Sequence, residues 1–163
     1  HHVLNEETPV HNAYTLSIKP KAKALKLKEK LLIVSVDDEG HPSSEGGSFE
    51  NGFVVTKTRS FGNFAVMIDT TAPTIKLLNF DRETASFKQN KITIKINDNL
   101  SGIKSYRGTI DGNWILMVHD NKEKTLQYSF DEKLVKTEGE HIFVLTITDK
   151  KGNTKKTTTK FKF

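Results

Sequence analysis

The sequence predicts an all-β chain built as two tandem β-sandwich domains. Three observations lead there. Apolar and polar residues alternate with period two, most clearly in Lys91-Ile92-Thr93-Ile94-Lys95-Ile96-Asn97. Two-residue hairpin signals, Asn51-Gly52 and Asp111-Gly112, punctuate such runs. No stretch sustains the 3.6-residue period of a helix face. A chain of 163 residues has room for two small domains, and its ten Phe and single Trp supply core mass.

The boundary falls at Ile68-Asp69-Thr70-Thr71-Ala72-Pro73-Thr74-Ile75. Pro73 pushes Ala72 into extended backbone and cannot donate to a sheet ladder. Small polar residues precede it and β-branched residues follow. The expected domains are therefore 1–72 and 73–163. The first holds 8 basic and 9 acidic residues, a net −1; the second holds 17 and 11, a net +6. The whole-chain excess of +5 thus belongs to the second domain.

In the first domain, Ala13–Lys19 and Lys30–Asp37 read as strands, with Leu31–Val36 buried. Lys19–Lys30 carries six Lys and a Pro and is expected to be an exposed loop or one short helix. Gly40–Ser48 reads as a loop, Phe53–Thr58 and Phe61–Ile68 as strands. So few strands make a thin sandwich, which an upstream segment is expected to complete.

The second domain reads as about seven strands in 91 residues, the spacing of an immunoglobulin-like sandwich. Thr74–Leu78 opens it, and Lys91–Asn97 and Ile103–Ile110 follow. Asn113–Val118 continues after the Asp111-Gly112 turn, and His119–Lys122 turns again. Thr125–Phe130 points Leu126, Tyr128 and Phe130 inward. His141–Thr148 is apolar on both faces, and Thr154–Phe163 closes the domain. Lysines 150, 151, 155, 156, 160 and 162 make that end basic. Lys on a terminal strand guards an edge against aggregation. With three Arg in the chain, the base-reading fork that nucleic acid favours is scarce, so no nucleic-acid partner is expected.

The chemistry of catalysis is thin. The chain has no cysteine, which removes disulfides, thiolate zinc sites and a thiol nucleophile. The six histidines form no His-x-His or i, i+4 pair. No Gly-x-Ser-x-Gly elbow occurs, and Gly46-Gly47-Ser48 lacks the Lys of a phosphate loop. Asp98, Asp111 and Asp149 lie in inter-strand loops of the kind that can offer oxygen ligands to calcium, but no spacing demands a site. The expectation is a chain that is not an enzyme, with no metal site and no cofactor.

Aromatic side chains are the remaining binding candidates. Tyr106 and Trp114 flank the Asp111-Gly112 hairpin, with Arg107 beside Tyr106. Paired across the hairpin, the two rings would form a sugar- or peptide-stacking surface. A lone Trp in a sandwich is more often core. The two readings differ in whether Trp114 is exposed.

Several motifs resemble a known family. They are Asp98-x-x-Ser101-Gly102-Ile103, Tyr106-Arg107-Gly108-Thr109-Ile110-Asp111-Gly112-x-Trp114, Gly139-x-His141 and Asp149-x-x-Gly152-Asn153. Together they resemble the C-terminal immunoglobulin-like module of bacterial cell-envelope proteins related to lysostaphin-like zinc endopeptidases. Thr8-Pro9-Val10-His11, Gly46-Gly47-Ser48-Phe49-x-Asn51-Gly52 and Arg59-x-Phe61-Gly62 are similar to the segment before that module. The family's zinc motifs, His-x-x-x-Asp and His-x-His, do not occur here. The resemblance therefore implies a non-catalytic accessory region that positions or regulates an upstream peptidase-like domain of the same protein. It also implies a periplasmic or cell-surface location and peptidoglycan or a surface glycan as partner. The alternative is a carbohydrate- or protein-binding surface module of adhesin type. No run of 18 apolar residues is present, so no membrane-spanning helix is expected.

Overall fold

The computed structural model describes residues 1–4, 11–131 and 139–163. Thr8-Pro9-Val10 lies outside them. The fold is all-β, and every strand pair is antiparallel. The chain divides into two compact units: His1–Thr71 with Asn99–Gly102, and Ala72–Asp98 with Ile103–Phe163. The division falls beside the Ala72-Pro73 junction. It departs from the expected boundaries by giving Asn99–Gly102 to the first unit.

The first unit contains β1 (His2–Val3), β2 (Tyr14–Ile18), β3 (Leu31–Val36), β4 (Pro42–Gly46), β5 (Ser48–Glu50), β6 (Phe53–Thr58) and β7 (Gly62–Ile68). They form two sheets, in the orders β1-β7-β3-β4 and β2-β6-β5. Ile18, Leu31, Ile33, Val54 and Phe64 make the core. A short 3-10 stretch, Ala22–Lys30, breaks at Leu27 and buries none of its residues. Its lysines cannot be desolvated without partners, which keeps it at the surface.

The expected loop Gly40–Ser48 in fact holds strand β4 and the first residue of β5. β4 is an edge strand, so its Pro42 loses no ladder bond by lacking an N–H. Gly46-Gly47 then carries the chain from one sheet to the other. Gly47 has φ +106°, and a Cβ there would lie 2.7 Å from the Val55 carbonyl oxygen. The glycines therefore serve a sheet switch. Thr56 and Thr58 hydroxyls donate to the Glu45 carbonyl and carboxylate at 2.6 and 2.7 Å, tying the switch to β6.

The second unit contains β8 (Thr74–Leu77), β9 (Phe80–Asp81), β10 (Ser86–Phe87), β11 (Lys91–Asn97), β12 (Ile103–Ile110), β13 (Asn113–Ile115), β14 (Val118–Asp120), β15 (Thr125–Ser129), β16 (His141–Asp149) and β17 (Thr154–Phe161). One sheet runs β14-β15-β11-β8 and the other β13-β12-β16-β17. This is the two-sheet partition of an immunoglobulin-like sandwich. The β9–β10 hairpin is an addition that the sequence reading did not foresee. Ile92, Ile94 and Ile96 pack on Phe87, Phe143, Leu145, Ile147 and Phe161. The expected strand Asn113–Val118 is interrupted. β13 pairs with β12 and β14 with β15, so the chain changes sheets between them. The turn predicted at His119–Lys122 is correspondingly shifted to Asn121–Lys124.

Among the described residues, no helix is long and apolar enough to cross a membrane.

Candidate functional site: an open sheet face around Trp114

The site begins with the turn Asp111-Gly112. Both residues have positive φ, 51° and 81°, the geometry of a tight two-residue hairpin. Ile110 therefore faces Asn113, and Thr109 faces Trp114. Side chains alternate across the pleat. Gly108, Ile110 and Ile115 point into the core, while Arg107, Thr109 and Trp114 point out. Trp114 is 58 % exposed. Of the two readings of Trp114, the exposed one describes the structure: the unit fills its interior with Phe87, Phe143 and Phe161, and the indole stands on the outer face.

Tyr106 is not beside it. It lies on the inward parity of β12 and packs partly against the core. Its hydroxyl donates to the Met117 carbonyl at 3.3 Å, and its ring stands edge-on to His119 at 5.7 Å. The expected Tyr106–Trp114 pair across the hairpin therefore does not form. Trp114 and Arg107 do share a face, because they have the same parity about the Thr109–Trp114 pair.

The outer face extends across the sheet in register. One transverse row reads Trp114, Thr109, Val144, Thr158. The next reads Arg107, Thr146, Lys156. Neighbouring strands lie about 4.8 Å apart, so each row is an array of closely spaced groups. Leu116 and Val118, each 68 % exposed, continue the apolar character past Trp114 around the sheet edge.

The turn itself is pinned by His141. Its Nδ1–H donates to the Asp111 carboxylate at 2.7 Å, and the Ile142 N–H donates to the other oxygen at 2.8 Å. The Asp111 N–H answers to the Ile142 carbonyl at 2.9 Å. Burial works to raise the carboxyl's pKa, but these hydrogen bonds and the His141 charge outweigh it and hold Asp111 below the ordinary carboxylate range. The His141 ring is buried against Phe161 and Phe163. This network positions the hairpin from which Trp114 projects.

The other titratable candidates lie apart. Asp98 and Asp149 bring carboxylate oxygens within 4.8 Å of one another, whereas Asp111 is engaged with His141. Asp149 already accepts the Lys151 and Asn153 N–H groups and the Asn153 side-chain amide, at 2.7, 2.8 and 2.7 Å. These bonds close its own turn. His41 sits in an exposed turn with Asp37 and Glu39, and His2 contacts Asn63.

Comparison with known proteins bears on the first unit alone. A family model matches residues 1–69, ending just short of the unit's boundary at Thr71. The match is to a Zu5-like domain. The Zu5-like stretch spans both sheets of the first unit, and the Trp114 face lies outside it. No curated protein matches the chain.

Proposed function

We propose that the chain is a non-catalytic accessory region of a cell-envelope protein, working by binding: it positions an adjoining peptidase-like domain against peptidoglycan. The observation that carries the binding reading is the open placement of Trp114 beside Arg107 on a sheet face. An indole that a fold does not bury is a large stacking surface with a polar N–H at its edge. The envelope setting and the peptidase neighbour rest on the motif series from Asp98 to Asn153. A second reading, an adhesin-like protein-binding module, is favoured by Leu116 and Val118, which extend the apolar surface beyond the indole.

Cosedimentation of the intact chain with purified peptidoglycan tests the proposal, with release of soluble fragments followed in parallel. Retention on the polymer without solubilisation is expected. Chelator-sensitive hydrolysis, or failure to be retained, would overturn it.

A further inference from the structure

We infer that the outer face of the β13-β12-β16-β17 sheet is a binding site for an acidic polysaccharide, a chain of carboxylate-bearing sugars. This deepens the binding reading above and rests on it.

Charge is the first ground. The only acidic residue in these four strands is Asp149, which is buried on the inner side. The outer face carries Arg107 and Lys156 in one transverse row, bracketing Thr146. Lys160 also points outward but is bonded to Glu140 at 2.8 Å, which leaves the Arg107–Lys156 row as the part open to a polyanion. The one carboxylate bonded on this face, that of Glu140, is matched by Lys160, so Arg107 and Lys156 leave it a positive excess that attracts an anionic partner and repels a cationic one.

The hydroxyls beside the cations are the second ground. Thr146 lies between Arg107 and Lys156, and Thr109 and Thr158 flank Val144 in the adjoining row. A hydroxyl donates and accepts, which suits a ligand made of hydroxyls. Val118, part of the apolar extension past Trp114, sits on the other sheet, away from the Arg107–Lys156 row. Trp114 closes one end of the Thr109–Val144–Thr158 row, placed to stack on the apolar face of a sugar ring while the cations of the next row meet its carboxylates.

The test uses the intact chain and soluble polygalacturonate, read by calorimetry and by the fluorescence of the single Trp. The same polymer with its carboxyls reduced, and an oligo-dT of similar length, are run beside it. The expected result is salt-sensitive binding of polygalacturonate, with the reduced polymer bound at least tenfold more weakly. Trp114→Ala weakens binding by about tenfold. The double variant Arg107→Glu/Lys156→Glu abolishes it, whereas Lys76→Glu, a charge reversal on β8 of the other sheet, leaves it unchanged. Circular dichroism and thermal melting confirm that all variants are folded. Equal binding of the reduced polymer or of oligo-dT would overturn the inference, as would indifference to the Trp114 and Arg107/Lys156 changes. Absence of polygalacturonate binding would also overturn it. In that event, Trp114-dependent retention on peptidoglycan would leave the accessory reading standing, and no retention would remove both.

Discussion

The two faces of the β13-β12-β16-β17 sheet share one hydrogen-bond ladder and one set of strands, yet they carry opposite kinds of side chain. Inward, β16 places Phe143, Leu145 and Ile147 in complete burial, and β17 adds Phe161. Outward, the same strands place Val144, Thr146, Lys156 and Thr158, and the hairpin adds Arg107 and Trp114. Backbone bonding is common to both faces, so it cannot distinguish them. The inner face holds the unit together through apolar burial. The outer face is open to water, and its composition is left free for recognition.

This contrast predicts a graded series of effects. The largest belongs to Phe143→Ala, which removes a fully buried ring and lowers the stability of the second unit by about 3–5 kcal/mol. Denaturant unfolding measures it, and a loss below about 1 kcal/mol would blur the distinction between the faces. Next comes Gly108→Ala on the inner side of β12. Its Cβ would lie 2.8 Å from the Met117 sulfur, so the flexible thioether must shift, at roughly 1–2 kcal/mol.

Asp111→Asn at the hairpin is a smaller change, about 1 kcal/mol, because the carboxylate is 40 % exposed and solvent screens its bonds. Here pH provides a sharper reading. The folded carboxyl titrates below its unfolded value of about 3.9. Its contribution is therefore present above that pH and lost as pH falls through the lower folded value. The substitution should flatten the acid limb of stability below about pH 4 and leave the alkaline limb alone. Smallest of all is Trp114→Ala, within about 0.5 kcal/mol in stability, since an exposed side chain leaves no cavity. Its effect should appear in binding instead.

Much of the second unit was legible from period-two alternation. Lys91–Asn97 and Ile103–Ile110 match their strands residue for residue, because alternating Ile and hairpin chemistry act locally. The strands β4 and β5 were not legible. Ser43, Ser44 and Glu45 form a polar edge whose pairing is set by β3, a tertiary effect that overrides local propensity. Nor was the break between β13 and β14, since a strand that changes sheets keeps its alternation through the change.

At the site, Arg107 and Trp114 were legible as candidates, and Tyr106 was misplaced by one step of the pleat. The signal for the correction lay in the turn. A two-residue Asp-Gly loop pairs Ile110 with Asn113, and counting back puts Trp114 on the parity of Thr109 and Arg107. The exposure of Trp114 was not legible, because nothing local reveals that three Phe rings fill the core without it. The Asp111–His141 bond was not legible either, since it spans 30 residues.

The most direct test of the proposal that the open face binds is collisional quenching of Trp114, the one indole in the chain, by acrylamide with and without purified peptidoglycan fragments or polygalacturonate. Efficient quenching in the free protein, reduced when polymer is added, is the predicted result. An indole already shielded in the free protein, or one whose quenching ignores the polymer, would contradict the account.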